Sequence, residues 1–318
     1  MKKLRSVKIV EVKSEVGAGT RGASLGVDAI KIAALDFRSQ FFKNHRPMTV
    51  PDDNAALYSE VGNRYAKRIK SVLKMYERIS AGIKDVLKDG KFPIVLSGDH
   101  SNAGGTIAGI KAAYPDSRLG VIWIDAHADL HSPFTSPSGN MHGMPLATAL
   151  AEDNIENKVN DLDYETIELW EMVKNVGGHS PKIDYRDLLF MTLRDLEEQE
   201  SYLLKSNKVK IYSTAEIRKT GITKLCREAM KYLSQCDKIY ISFDVDSMDP
   251  TVSRGTGTPV KGGINEREAA DILLELIQNE RVCCLEITEV NPTLDSENVM
   301  AETAFEILQK IVRQVEMN

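Results

Sequence analysis

The sequence predicts an α/β fold in which helices cover both faces of a mostly parallel sheet. Short β-branched or apolar runs recur along the 318 residues, and longer segments with apolar residues at three- and four-residue spacing lie between most of them. Alternating strands and helices favour a parallel sheet, because each helix carries the chain back to the edge where the next strand begins.

The strands are predicted from runs that contain few polar residues. The run VIWID (121–125) is apolar without alternation, as expected of a strand buried on both faces, and it ends at a carboxylate. YISFDVD (240–246) ends in the same way. The predicted strands are Val7–Val12, Ile94–Leu96, Leu119–Ile124, Leu188–Leu193, Val209–Tyr212, Ile239–Val245 and Val282–Ile287.

The helices are predicted from apolar residues that recur on one face. They are Arg64–Lys88, Thr106–Ala113, Ile222–Leu233, Glu266–Ile277 and Asn298–Val315. The chain contains no internal repeat and no Gly/Ser linker, so we expect a single domain over residues 1–318. The polar segment Ala151–Lys182 is interpreted as a possible insertion or surface excursion.

The charge balance argues against several classes of partner. There are 41 Lys and Arg against 46 Asp and Glu, which gives a net charge of -5 and no electrostatic basis for sequence-independent nucleic-acid binding. We expect small-molecule substrates, no nucleic acid and no membrane. The N-terminal apolar run is too short for the core of a signal peptide, so a cytoplasmic location is expected.

Acids and histidines cluster where the predicted strands end. Asp125, His127 and Asp129 occupy alternate positions of DAHAD, so an extended backbone would point all three side chains the same way. Two acids in FDVD repeat this spacing on a later strand, and a histidine follows the strand IVL. The predicted metal ligands are His100, Asp125, His127, Asp129, Asp244 and Asp246.

The composition of this ligand set indicates which metal it would hold. Two histidines and four aspartates are rich in oxygen, which suits Mn²⁺ better than the sulfur-rich or histidine-rich sites typical of zinc. Six ligands suggest two ions, which in two-metal hydrolases lie ~3.5–4 Å apart. The sequence therefore predicts a site for two ions that suits manganese.

Read together, these segments resemble the arginase/agmatinase ureohydrolase family. The family signatures are matched by SGDHS (97–101), DAHADLH (125–131) and SFDVDSMDP (242–250). Further segments are similar to the arginase branch in particular: SGNMHGMP (138–145), GTGTPVKGG (255–263) and EITEVNP (286–292).

The resemblance implies a fold, a cofactor and a reaction. The fold would be a single three-layer α/β/α domain, and two Mn²⁺ ions would be bound per subunit of a homo-oligomer, a trimer or hexamer. The reaction would be hydrolysis of a guanidino C–N bond, above all L-arginine and water to L-ornithine and urea. The resemblance assigns one ion to His100, Asp125, Asp129 and Asp244, and the other to Asp125, His127, Asp244 and Asp246.

Three residues are expected to act in the reaction by the same resemblance. Asp129 would deliver a proton to the leaving amine, and His142 would serve as a proton shuttle, since an imidazole titrates near neutral pH. Glu289 would hold the guanidinium nitrogens through charge-assisted hydrogen bonds.

The residues expected to bind the rest of the substrate depart from the arginase pattern in two places. His131 stands where arginases carry Asn, and Glu197 stands where the family usually has Asp. His131 could hydrogen-bond a carboxylate, add a metal ligand or reshape the pocket. The predicted substrate-binding residues are His131, Ser136, Ser138, Asn140, Asp195, Glu197 and Glu289.

Other functions stay open at this point. Agmatine, or another guanidino or formimino compound, could be the substrate instead of arginine. A metal-dependent deacylase would use related chemistry. A non-catalytic scaffold with the same fold would belong to a different class, although such a protein would tolerate broken ligands and all six ligand positions carry competent donors.

Overall fold

The computed structural model describes residues 5–317, and eight strands form one sheet. The strands are β1 (Val7–Val12), β2 (Met48–Val50), β3 (Phe92–Ser97), β4 (Leu119–Ile124), β5 (Leu188–Met191), β6 (Lys210–Tyr212), β7 (Lys238–Asp244) and β8 (Val282–Thr288). Their order is β2-β1-β3-β8-β7-β4-β5-β6, and every neighbouring pair is parallel. The last strand in sequence therefore lies in the middle of the sheet.

Helices pack on both faces of this sheet. They are α1 (Gly26–Asp36), α2 (Phe41–Asn44), α3 (Ile69–Lys88), α4 (Asn102–Ala113), α5 (Pro145–Leu150), α6 (Tyr164–Asn175), α7 (Glu198–Ser206), α8 (Thr214–Thr220), α9 (Ile222–Tyr232), α10 (Glu266–Leu276) and α11 (Val299–Met317). Side chains of α1, α9, α10 and α11 join one apolar core, and those of α3, α4, α5 and α6 join a second core on the opposite face. The predicted three-layer α/β/α class is confirmed.

The predicted elements are present with shifted ends. Each of the seven predicted strands corresponds to an observed one. The edge strand β2 was missed because its three residues lie between Pro47 and Pro51, and prolines favour a loop. Helix α4 starts at Asn102 instead of Thr106, because its first turn contains glycines that favour a loop when read alone. A Cβ on Gly104 would lie 2.1 Å from the hydroxyl of Tyr76 in α3, so the glycine permits the close approach of the two helices.

The segment Ala151–Lys182 contributes to the core, which corrects its interpretation as a surface excursion. Trp170 of α6 is fully buried, and its indole Nε1 donates to Oδ1 of Asp153 at 2.7 Å. The Lys174 ammonium donates to the same oxygen at 2.7 Å. The segment is thus packed against the rest of the fold. That it is an insertion, and that residues 1–318 form a single domain, stay predictions.

Across residues 5–317, no helix combines the length and the apolar character needed to cross a bilayer.

We predict that Trp170→Ala lowers the free energy of unfolding by about 3–5 kcal/mol, because it removes a large buried ring and leaves a cavity. Denaturant titration followed by circular dichroism measures the change. Met172 lies on the same helix with 52% of its surface exposed, so Met172→Ala should change stability by no more than about 0.5 kcal/mol. Equal effects of the two substitutions would contradict the packing described for α6.

Candidate metal centre and active site

The site lies at the carboxyl ends of the four central strands. The adjacent strands β3, β8, β7 and β4 all point the same way, so the loops that follow them meet at one edge of the sheet. These loops and the segment that follows β5 surround a cavity of about 270 Å³. Its lining includes every predicted site residue: His100, Asp125, His127, Asp129, His131, Ser136, Ser138, Asn140, His142, Asp195, Glu197, Asp244, Asp246 and Glu289.

The ligands converge through turns, and the predicted extended backbone is wrong. β4 ends before Asp125, and Asp129 adopts a left-handed conformation with φ 51°. Asp246 lies in a short 3-10 turn after β7. In both motifs the first aspartate accepts from the amide two residues later: the His127 amide donates to Asp125 at 2.7 Å, and the Asp246 amide donates to Asp244 at 2.7 Å. These Asx turns place the next side chain beside the first.

One group of ligands surrounds the imidazole of His100. Its Nδ1 lies 3.0 Å from Oδ2 of Asp125, 3.0 Å from Oδ2 of Asp129 and 3.2 Å from Oδ2 of Asp244. All four side chains are buried. Three carboxylate oxygens therefore converge on a single ring nitrogen.

The orientation of His100 is fixed from three sides. Its Nε2 lies 2.7 Å from the hydroxyl oxygen of Ser242, and its ring stacks on Trp123 with centroids 4.1 Å apart. Its backbone amide donates to Oε1 of Glu289 at 2.8 Å. Because Ser242 and Trp123 lie on strands, the sheet itself holds the ring and leaves Nδ1 facing the carboxylates.

A second group surrounds His127. Its Nδ1 lies 2.9 Å from Oδ2 of Asp246 and 3.5 Å from Oδ1 of Asp125, which is shared with the first group. The hydroxyl of Thr258 donates to Oδ2 of Asp246 at 3.2 Å. Asp195 lies behind the ring, with Oδ2 3.7 Å from Nε2 of His127. The negative charge of Asp195 favours a proton on the facing Nε2, which leaves Nδ1 as the nitrogen that can bind a cation.

The two groups fit divalent cations. Within residues 5–317, Nδ1 of His100 and Oδ2 of Asp125 are buried without a hydrogen-bond partner. The ligand atoms of His100, Asp125 and Asp129 lie within 4.8 Å of one another, as do those of Asp125, His127 and Asp246. Buried polar atoms without partners are costly, and a cation between them would relieve that cost.

The pKa values of the cluster reflect the burial and the crowding of its acids. Burial, followed by the charge of Asp125, raises the pKa of Asp129 to about 6. The pKa of Asp244 is well above its usual value, first because of burial and then because of the charges of Asp246 and Asp125. Burial also opposes ionisation of Asp125, but the adjacent imidazoles of His100 and His127 outweigh it and lower the pKa of that carboxyl. The protein alone thus neutralises the cluster only in part.

A further acid and histidine complete the wall beside the cluster. Nδ1 of His142 lies 3.6 Å from Oε1 of Glu289. Burial lowers the pKa of His142, but the Glu289 carboxylate outweighs burial and raises it overall. The backbone of Glu289 is left-handed, with φ 66°, which turns its carboxylate back toward the cavity.

The N-terminal segment GAGTRG (17–22) supports this wall, a role that its sequence did not indicate. The His142 amide donates to the Gly17 carbonyl at 3.1 Å, and the Gly17 amide donates to Oδ2 of Asp99 at 3.0 Å. The other oxygen of Asp99 accepts from the Ser101 amide at 2.8 Å. Burial, with the Glu289 charge, raises the pKa of Asp99 to about 6. Asp99 thus supports the loop that carries His100.

The opposite end of the cavity is acidic and more open. Nδ1 of His131 lies 3.1 Å from the hydroxyl of Thr135, and its Nε2 lies 3.1 Å from Oε2 of Glu197. Nε2 is also 3.8 Å from Oε2 of Glu200. The residue His131 is 8% exposed, whereas Asp195 and Glu197 are exposed. His131 therefore faces a pair of carboxylates rather than the metal cluster.

The loop after DAHAD closes the remaining side. The hydroxyl of Ser136 accepts from the Gly139 amide at 2.8 Å, and that of Ser138 accepts from the Asn140 amide at 3.2 Å. Ser136 is buried in this turn, while Ser138 is exposed at the mouth. The loop thus presents two predicted contacts, Ser138 and Asn140, at the outer end of the cavity.

The sequence interpretation missed two polar residues of the lining. Glu200 is buried, and its oxygens accept from the amides of Leu130 at 3.1 Å and Glu197 at 3.2 Å. Its position three residues after Glu197 is a helix-start signal that could have drawn attention to it. Thr258 lies in the quoted segment GTGTPVKGG, but nothing in that segment singles out one hydroxyl.

The family is shown by the match of nearly the whole chain. Residues 5–313 match the family model described as the Arginase family. The chain belongs to the arginase family. It is 35% identical over 311 residues to an arginase of Bacillus subtilis (strain 168), covering 97% of this chain and 98% of that one. It is 33% identical over 310 residues to an arginase of Bacillus caldovelox, covering 96% and 97%.

Solved arginase structures agree with the fold. The native arginase structure from Bacillus caldovelox has a TM-score of 0.83 at 32% identity and covers 97% of this chain and 98% of its own. Members of the arginase family are metalloenzymes that hydrolyse C–N bonds of linear amidines and act on small guanidino compounds. The chain is thus an arginase-type hydrolase.

We predict that Mn²⁺ stabilises the chelator-treated protein, because a bound cation offsets the repulsion of the buried carboxylates. Binding at 100 times the dissociation constant adds about 2.7 kcal/mol to the free energy of unfolding. Differential scanning calorimetry with and without Mn²⁺ measures the rise in Tm. Asp244→Asn removes one charged ligand and should reduce that rise, whereas the exposed Asp271→Asn should preserve it. A full rise in Asp244→Asn would exclude Asp244 as a ligand.

Proposed function

We propose that the protein is a dinuclear manganese enzyme that hydrolyses L-arginine to L-ornithine and urea. The observation that carries the proposal is the cavity itself. At one end a buried His/Asp cluster adjoins the carboxylate of Glu289, and at the other end the cavity has a polar mouth. The cluster suits two cations, the nearby acid suits a guanidinium group, and the mouth suits the polar end of an amino acid.

The metal assignment follows the chemistry of the donors. One ion would be held by His100, Asp125, Asp129 and Asp244, and the other by Asp125, His127, Asp244 and Asp246. Oxygen-rich sites of this kind favour Mn²⁺ over zinc. When bound, two such ions lower the pKa of water and so supply a nucleophile at neutral pH.

The guanidinium group would be held by Glu289. Its Oε1 is fixed by the His100 amide at 2.8 Å, so the carboxylate stands next to the metal cluster in a set direction. A planar guanidinium pairs with a carboxylate through two N–H groups, and the negative charge favours the cationic substrate over neutral amides. This selection supports a guanidino substrate over the acylated substrate of a deacylase.

Two residues would move the proton that the reaction requires. Water adds to the guanidino carbon, the C–N bond to the substrate chain breaks, and the leaving amine takes up a proton. Asp129 belongs to the cluster, with Oδ2 3.0 Å from Nδ1 of His100, and would deliver that proton. His142 lies at the wall between Glu289 and solvent and would exchange protons with bulk water.

The outer end of the cavity supports an amino acid as substrate. Asn140 and the hydroxyl of Ser138 lie at the mouth and could donate to an α-carboxylate. Glu197 and Glu200 could accept from an α-ammonium group, and His131 lies between them and the loop. Asp195 would act on the substrate only through His127.

Urea release from a substrate panel after Mn²⁺ loading tests the proposal. L-arginine should exceed agmatine, guanidinobutyrate and guanidine in kcat/KM. Preference for agmatine would make the enzyme an agmatinase, and activity toward formimino compounds alone would move it to that class of hydrolase. No turnover of any of these by the metal-loaded protein would favour a non-catalytic scaffold.

We predict that His142→Asn lowers kcat for L-arginine by about 100-fold with little change in KM, because proton transfer by a positioned side chain contributes about that much. Steady-state urea release measures both constants. His179 lies outside the cavity, and His179→Asn should leave both constants unchanged. Recovery of His142→Asn activity by added imidazole would support proton transfer, whereas unchanged kcat would remove His142 from the mechanism.

The homo-oligomer, a trimer or hexamer, and the cytoplasmic location stay predictions.

A further inference from the structure

The cavity presents an electrostatic problem for the proposed substrate. Its lining contains acids at both ends and neither Lys nor Arg. In the part of the chain that the structure describes, no Lys or Arg nitrogen lies within 4.0 Å of a carboxylate of this lining. Two bound cations would offset the acids of the inner end, but Asp195, Glu197 and Glu200 at the outer end would still repel a carboxylate. A substrate that carries a carboxylate needs a positive charge near the outer end.

Lys67 provides a positive charge immediately behind the lining. Its ammonium donates to Oδ1 of Asn140 at 3.1 Å. The residue is half-buried, two positions before the start of α3. The contact is charge-assisted, so it is stronger than an ordinary amide hydrogen bond.

The backbone holds Lys67 in this place. Its amide donates to the Gly139 carbonyl at 2.8 Å. Gly139 has φ +73°, and a Cβ there would lie 2.1 Å from the Arg64 carbonyl oxygen. The segment 64–67 and the loop 136–140 are thus in direct backbone contact, and only glycine allows it.

The contact also sets the direction of the Asn140 amide. The ammonium group holds the oxygen of Asn140, so it fixes the amide in one of its two orientations, and the amide nitrogen is the donor that can bind a carboxylate. An Asn without this partner could turn either its oxygen or its nitrogen to the cavity. A carboxylate is bound only by the nitrogen.

We propose that Lys67 is a positioning residue that makes the enzyme select guanidino substrates bearing a carboxylate. Lys67 acts in two ways: it directs the Asn140 amide nitrogen to the substrate, and its charge offsets the acids of the cavity. The proposal rests on the proposed function, since it concerns the outer end of the same site. It adds a residue that does not itself line the cavity.

Kinetics of Lys67→Met in the Mn²⁺-loaded enzyme test this role. We expect KM for L-arginine to rise about 3- to 10-fold, because losing a partly solvated charged contact weakens binding by about that factor. The value of kcat should stay within about twofold of that of the unsubstituted enzyme. Agmatine has the same guanidino chain without the carboxylate. Its inhibition constant against L-arginine should change by less than about twofold.

Two further variants separate a role in recognition from a role in folding. Lys67→Arg keeps the charge and a donor, so its KM for L-arginine should be close to that of the unsubstituted enzyme. Lys70 lies one turn along the chain with 60% of its side chain exposed and pairs with Glu165 at 2.6 Å. Lys70→Met therefore removes a charge of the same sign three residues from Lys67 and should leave KM unchanged. Melting curves of all three variants report folding directly.

The outcomes are distinct. An increase in KM for L-arginine that is confined to Lys67→Met and reversed in Lys67→Arg supports the proposal. An unchanged KM in Lys67→Met, an equal loss for agmatine, or the same loss in Lys70→Met overturns it. Failure of the unsubstituted enzyme to release urea from L-arginine would instead overturn the proposed function, and that result precedes any variant.

Discussion

The site depends on the placement of several carboxylates in a pocket that excludes most water. Asp125, Asp129, Asp244 and Asp246 are each no more than 8% exposed, and like charges this close repel strongly in a medium of low dielectric constant. His100 and His127 offset part of this repulsion. Burial first, and then the remaining repulsion, raises the pKa values of Asp129 and Asp244, and a bound cation would relieve both effects.

Such a cluster persists only because rigid elements hold it. The acids follow β4 and β7, which pair directly, and the stacked ring of His100 rests on Trp123 of β4. Asp129 and Glu289 adopt left-handed backbone conformations at this edge of the sheet, and the surrounding packing stabilises these unfavourable conformations. The outer end is different in kind, because Ser138, Asp195 and Glu197 are exposed on loops. One scaffold can thus keep its chemistry constant while its loops alter what is bound.

Much of this arrangement could be predicted from the sequence. Buried parallel strands have continuous apolar sequences, so β4 and β7 could be predicted from the sequence. The acids at the ends of these strands could be predicted with them. The path of the chain between ligands could not be predicted, because DAHAD fits both an extended strand and the observed turn. The short edge strand β2 and the glycine-rich start of α4 carry too little local signal. The contact of Lys67 with Asn140 joins residues 73 positions apart, and local patterns give no information on such pairs.

The position of β8 has a consequence for how the chain assembles. β8 lies between β3 and β7, so the sheet consists of two blocks, β2-β1-β3 and β7-β4-β5-β6, that are joined by the last strand to be synthesised. The hydrogen bond between Glu289 and His100 spans 189 positions of sequence. Contacts of that length are slow to form, because loop closure precedes any energetic gain. During translation His100 therefore belongs to one block, and the other five predicted ligands belong to the other. The nascent chain can bring all six together only after β8 has left the ribosome.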